Sequence, residues 1–201
     1  MDWVDEAIVL SARAHGESSA ILEVLTAEHG RHMGLVRGGT SQRMRPVLLA
    51  GNSLKVEWRA RLSEHLGSFI VEMTHARAGA IMEGRAALTG LNAATAVLNL
   101  VVPERAPYAN IYAATGLLFD ALAEDGLAHW GPLYARWEIG LLEALGHGLD
   151  LSECTATGTT EDLVYVSPRS GRAVCRAAGA PYAGRMLTLP QFLLGSQNPI
   201  E

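Results

Sequence analysis

The segment at 54–62 alternates without a break. Leu54, Val56, Trp58, Ala60 and Leu62 fall on one side, and Lys55, Glu57, Arg59 and Arg61 on the other. A two-residue period predicts a half-buried strand, because successive side chains of extended backbone point to opposite faces. The residues before it repeat the theme. In EAIVLSARAH, Ile8, Leu10 and Ala12 alternate with Val9, Ser11 and Arg13, and a turn at HGES (15–18) leads into SAILEVLTAEHG, closed by His29-Gly30. RHMGLVRGG ends at Gly38-Gly39, AGNS (50–53) is a further turn, and HLGSFIVEMT (65–74) is a fifth strand. Five short strands with glycine turns predict a small closed barrel such as an OB-fold, with a small sandwich as the alternative the pattern leaves open.

Charge is segregated along this part of the chain. Between Arg31 and Arg61 lie seven basic residues (Arg31, Arg37, Arg43, Arg45, Lys55, Arg59 and Arg61) and one acid, Glu57. The balance is +6 in a chain of net charge −5, so the remainder sums to −11. GGTSQRMRP reads as a loop, and the predicted strand after it puts its charges outward. Arginines on a loop and on one strand face suit nucleic-acid backbone; the plain alternative is a solvated basic face. Trp58 sits opposite the arginines in the alternation and is read as core, not as a stacking platform. Glu17, Glu23 and Glu28 have no matched partner in sequence and read as surface charges.

Near residue 76 alanine and leucine take over. Residues 77–101 read as one long helix stopped by Pro103, 108–124 as a second with Pro107 at its start and Gly126 beyond its end, and 132–145 as a third from Pro132 to Gly146. Leu133, Trp137, Leu141 and Leu145, widened by Leu142, make the apolar stripe of the third helix. Residues 86–103 carry no charge, yet Asn92, Thr95 and Asn99 recur at helical spacing, which predicts a bundle helix and no membrane span. LVYVS and RAVCR flank PRSG inside 151–181, a hairpin signal. LTLPQFLLGSQNPIE ends the chain with room for one or two helical turns.

Composition agrees with a packed protein, at 49% hydrophobic and 18% charged residues. The acidic start MDWVDEAIVL is no signal peptide, and two cysteines without an export signal imply a reducing cytoplasm. No G-x-S-x-G, H-E-x-x-H or Walker loop is present, the seven histidines are scattered, and no enzyme or cofactor site is expected. A structural zinc needs four ligands, usually two C-x2-C pairs. Here Cys154 is followed by Thr157 and Cys175 by Ala178 at those spacings, so each pair keeps its first member only, and no stoichiometric zinc is expected.

EAIVLSARAHGESSAILEVLT, GLVRGGTSQRMRPVL, GNSLKVEWRARL, YARWEIGLLEALGHGLDLSECTATG and LVYVSPRSGRAV occur in one order over most of the chain. Together they resemble the RecO family of bacterial recombination mediator proteins. The resemblance implies an α+β chain: an N-terminal OB-fold barrel at 1–76 and a helical domain at 77–201 with a degenerate zinc-ribbon-like hairpin insert at about 151–181. It implies binding of single- and double-stranded DNA, annealing of complementary strands, help in loading RecA, a cytoplasmic, nucleoid-associated location and no membrane. RecR and the acidic C-terminal tail of single-stranded DNA-binding protein are the implied partners. The family continues with more helix past LTLPQFLL, so a chain ending at Glu201 reads as shortened. A non-enzymatic adaptor whose basic barrel face binds an acidic protein is the competing reading.

Two candidate sites follow. The DNA site is Arg37, Arg43 and Arg45 on the loop, aided by Arg31, Lys55, Arg59 and Arg61. The tail site is Arg136 beside an apolar pocket walled by Ile111, Leu118, Phe119 and Leu122: the pocket takes the terminal side chain and the guanidinium its carboxylate.

Overall fold

The computed structural model describes residues 1–124 and 126–195. The chain divides into two compact units, with the boundary between Trp137 and Glu138.

The first unit begins with strands β1 (Asp2–His15), β2 (Ser19–Thr26), β3 (Gly30–Val36), β4 (Ser53–Arg59) and β5 (Ser68–His75). They close into a barrel in the order β1-β2-β3-β5-β4, with β4 returning to β1. All pairs are antiparallel except β3 with β5. This is the expected OB-fold, and closure removes the sheet edges a five-stranded sandwich would expose. Its interior holds Ala7, Val9, Leu22, Val24, Leu54, Val56, Trp58 and Phe69, all buried. Trp58 is 2% exposed, as its place in the alternation requires, and its indole N–H donates to the Leu66 carbonyl at 3.0 Å. The alternation holds only to Arg59. Ala60 donates its N–H to Met1, and Arg61 and Leu62 lie past the strand, so Leu62 is exposed rather than inward. β5 starts at Ser68, after the Gly67 turn (φ 66).

One buried carboxylate shapes the β2–β3 turn. Asp5 accepts from the backbone N–H of Glu28 and His29 and pairs with His29 Nδ1 at 2.8 Å. Trp3 stacks flat on that imidazole, with ring centroids 4.1 Å apart. Gly30, at φ 72, closes the turn, and a Cβ there would strike the Ala106 backbone. Glu23 is no free surface charge: it accepts from Ser11 and forms an ion pair with Arg31, both side chains 13% exposed. The sequence hid this pair because it forms between strands.

The long helix expected at 77–101 is two helices, α1 (Ala78–Glu83) and α2 (Arg85–Val101). Gly84 between them is extended (φ −105, ψ 117). An alanine-rich pattern reads through such a break, but glycine is where leaving the helix is easiest. α2 buries Leu91, Ala94, Thr95 and Leu98, with the Thr95 hydroxyl folded back on the Leu91 carbonyl. Among the described residues no helix is long and apolar enough to cross a membrane. α3 (Ala109–Glu124) follows. α4 (Leu127–Ala144) begins well before Pro132, which lies inside it. The Gly126 carbonyl starts the helix by accepting from His129 and Trp130, and the proline falls in the second turn. Its buried face is Trp130, Trp137 and Leu141, while Leu133 and Leu142 of the expected stripe are exposed.

Asn52 joins the barrel to the helices of this unit. Its side-chain oxygen accepts from the N–H of Arg77 and Ala78, and its amide donates to the carbonyls of Pro46 and Val47. Arg77, 6% exposed, bonds Ser53 and Asp120.

The second unit holds the end of α4 and a three-stranded sheet ordered β7-β6-β8, from β6 (Leu163–Val166), β7 (Ala173–Cys175) and β8 (Leu187–Thr188). The β6–β7 hairpin is the predicted one. α5 (Arg176–Gly179) and a 3-10 turn at Ala180–Arg185 lead to β8, and Gln191–Leu194 is a further 3-10 turn. The rest of the predicted terminal turns, 196–201, lies outside the described residues. Leu163, Val166, Val174, Leu189 and the two cysteines form a core of their own, and Gly179 admits the Tyr165 ring.

Candidate nucleic-acid interface

The β3–β4 loop has a defined shape. Gly38 takes φ 68, and Gly39 lies so close to Ala20 that a Cβ would stand 2.7 Å from its methyl. Thr40 N–H donates to Ser18 of the β1–β2 turn, while Arg45 N–H to Ser41 and Leu48 N–H to Met44 make helical turns. Met44, Val47 and Leu48 pack on the barrel core. Because Met44 points inward, its neighbours Arg43 and Arg45 point outward, and both are exposed, as is Arg37. Arg45 donates Nε to the Thr40 carbonyl at 2.8 Å, which fixes its stem and leaves the outer guanidinium edge for a ligand. No carboxylate is paired with Arg37, Arg43 or Arg45 among the described residues. The adjoining β1–β2 turn carries one exposed acid, Glu17.

Arg45 lines a cleft of about 380 Å³ together with Arg13, Gly39, Thr40 and Leu49. Arg13 was missed in sequence because it lies outside the basic stretch, on β1. The alternation gave no signal, since it puts Arg13 on the side of the buried Val9, and only the register shift between Val9 and Ser11 turns it outward. Arg61, past the end of β4, is exposed, and Arg105 reaches the same β4–β5 loop to bond the His65 carbonyl.

The β4 face differs from expectation. Lys55 sits in register between Glu6 of β1 and Glu72 of β5. Arg59 lies opposite Asp2 and is ion-paired with Glu57. The outer face of β1-β4-β5 therefore sets four carboxylates against two cations, around exposed Val4 and Ile70. Arg31 is also engaged: besides Glu23 it donates Nε to Val102 at 2.8 Å and approaches Glu104. It is a structural cation, held in place by the segment crossing β3.

In the helical part, Ile111, Leu118, Phe119 and Leu122 are each 3% exposed or less. They are core, on the inward stripe of α3. An open apolar pocket lies elsewhere in this unit. It measures about 570 Å³ and is lined by Arg85, Gly90, Ala93, Trp130 and Tyr134. Arg136 is exposed on α4 and is not among its lining residues; six residues from Trp130, it projects about 120° away around the helix.

The ribbon-like positions in the second unit hold Cys154, Thr157, Cys175 and Ala178. Cys175 N–H donates to Cys154 Sγ at 3.2 Å, and the Thr157 hydroxyl lies 3.6 Å from Cys175 Sγ. Two sulfurs do not make the closed tetrahedral shell of a structural zinc, and no group of three or more His, Cys, Asp or Glu converges among the described residues. The donor set does not fit zinc.

A closed five-stranded barrel with an ordered arginine loop and a helical continuation defines an OB-fold protein with a helical region. The family model for Recombination protein O N terminal matches residues 1–77, and that for Recombination protein O C terminal matches 82–199. The chain is 53% identical to the DNA repair protein RecO of Sinorhizobium medicae (strain WSM419) over 201 residues, all of this chain and 80% of that protein. It is 53% identical over 198 residues to that of Agrobacterium fabrum, covering 98% of this chain and 77% of the relative. It is 52% identical over 197 residues to that of Rhodospirillum rubrum, covering 96% and 78%. The chain belongs to the RecO family of DNA repair proteins.

Proposed function

We propose that this chain is a non-enzymatic recombination mediator. It holds single- and double-stranded DNA on Arg37, Arg43 and Arg45, with Arg13 and Arg61 extending the path. It anneals complementary strands and, with RecR, helps load RecA onto DNA coated with single-stranded DNA-binding protein. The observation that carries this reading is the β3–β4 loop, whose apolar residues pin it to the barrel while its arginines stay exposed. A mediator has to hold strands without reading sequence, so phosphate contacts suffice. Arginine offers several donors to phosphate oxygens and a plane that stacks on bases. With roughly four phosphates neutralised, log K on single strands falls with log salt at a slope near about −3. Fluorescence anisotropy on a mixed-sequence strand from low to high salt is the test. Salt-independent binding, or binding to an acidic protein but not to DNA, favours the adaptor reading.

The tail of single-stranded DNA-binding protein docks, in this proposal, in the open pocket of the first unit, with Arg85 on its rim taking the terminal carboxylate. The apolar lining and the single cation support the reading. A labelled tail peptide is expected to lose about tenfold in affinity with Arg85→Ala, as a charge-assisted contact would, and little with Arg136→Ala. The reverse result restores the site to Arg136.

A further inference from the structure

The two cysteines have no role in DNA or tail binding, yet they are arranged as a pair. Both belong to the small core of the second unit, at 1% and 5% exposure. Cys154 opens a tight turn: its carbonyl accepts from Thr157 and Gly158, and its own N–H donates to the Thr159 carbonyl at 2.7 Å. That turn wraps the sulfur with donors. The N–H of Cys175 reaches it at 3.2 Å. Thr157 places its hydroxyl between the two residues, 3.6 Å from Cys175 Sγ.

Burial pushes the Cys154 thiol up, but the Cys175 N–H, the Thr157 hydroxyl, the Ala156 N–H and the Cys175 thiol outweigh it and bring it down to about 6, from an ordinary 9.0. Hydrogen bonds to an anion favour the anion, so these donors bias the sulfur toward the thiolate even inside an apolar cluster.

We propose that Cys154 and Cys175 form a reactive dithiol, in which Cys154 is the nucleophile that takes an oxygen from a hydroperoxide and Cys175 is the thiol that resolves it. The Cys154 sulfur attacks the peroxide O–O bond. One oxygen stays as the sulfenic acid; the other leaves as alkoxide or hydroxide and takes a proton from water. The Cys175 sulfur then displaces the sulfenic hydroxyl, which departs as water with the Cys175 proton, and the S–S bond closes. Two thiols lose two electrons and two protons, and the peroxide is reduced. The product ties the 154–159 turn covalently to the end of β7. The exposed residues 155–157 are the cover a small peroxide must pass, which sets it apart from bulky alkylating reagents.

The test treats the full chain, reduced and metal-free, with a small excess of hydrogen peroxide at neutral pH. Thiols are then counted in denaturant and the intact mass is measured. The expected result is loss of both thiols, a mass lighter by two hydrogens, one peptide pair linking Cys154 to Cys175, and full recovery with dithiothreitol. Cys175→Ser is expected to trap the sulfenic acid as a dimedone adduct at Cys154. Cys154→Ser is expected to leave Cys175 about tenfold slower to oxidise, since nothing then activates it. Wild-type protein that keeps both thiols overturns the proposal without recourse to any variant. Equal oxidation rates in the two single variants overturn the assignment of roles.

Discussion

Two sides of one barrel look alike in sequence and differ in space. The β3–β4 loop and the outer face of β4 contribute similar numbers of cations to the same basic stretch. On the loop, Arg37, Arg43 and Arg45 stand exposed with no carboxylate paired to them among the described residues. On β4, Lys55 lies between Glu6 and Glu72, and Arg59 between Asp2 and Glu57. The difference arises from strand pairing. A loop keeps the neighbours its own sequence supplies, whereas a strand acquires those of two other strands, here drawn from the acidic start of the chain and from β5. Charge counted along the chain therefore predicts potential on loops better than on sheets.

The sharpest way to test this contrast is through Arg31, the basic residue that belongs to neither side. Arg31→Ala leaves Glu23 largely buried without its partner, and the expected loss is about 3 kcal/mol of stability in urea melts. Single-strand affinity of the folded variant is expected to stay within about twofold at fixed salt. A large loss of affinity with unchanged melting would return Arg31 to the DNA path.

Removing the loop cations comes next. Arg37→Ala, Arg43→Ala and Arg45→Ala together are expected to weaken binding about thirtyfold at low salt, to all sequences alike, and to flatten the salt slope by about 2. Unchanged affinity would sink the loop as the site. Arg13→Ala alone is expected to cost about threefold, with the slope falling by less than about 1. The smallest effect belongs to the β4 face. Lys55→Ala with Arg59→Ala is expected to leave affinity within about twofold, and Glu6→Gln with Glu72→Gln to raise it slightly at low salt by relieving repulsion of phosphate. A β4 double variant as damaged as the loop triple would erase the contrast.

The barrel was legible because its signals are local: alternation, glycine turns and the inward place of Trp58 all survive in one dimension. The hairpin at 163–175 was legible for the same reason. The helix boundaries were less so. Gly84 breaks a helix that composition alone carries through, and Gly126, where α4 starts, reads equally well as the stop of the helix before it. The candidate sites were legible only where a loop carried them. Arg13 joins the cleft through β1–β2 pairing, Glu23 reaches Arg31 across two strands, and the intended walls of the tail pocket proved to be α3's core stripe. The first two depend on which elements become neighbours, whereas periodicity reports only which face of an element is apolar.

Asn52 carries a consequence for motion. One amide holds two carbonyls of the arginine loop, at Pro46 and Val47, and the first N–H groups of the helical stretch, at Arg77 and Ala78. Both segments are fastened to the barrel at one side chain, so an opening that swings Asn52 away loosens the two together. In amide hydrogen exchange, the slow protons of Arg45 and Leu48 would share one opening event with that of Ile81. Any ligand of the loop arginines would meet a surface tied to the root of the helices.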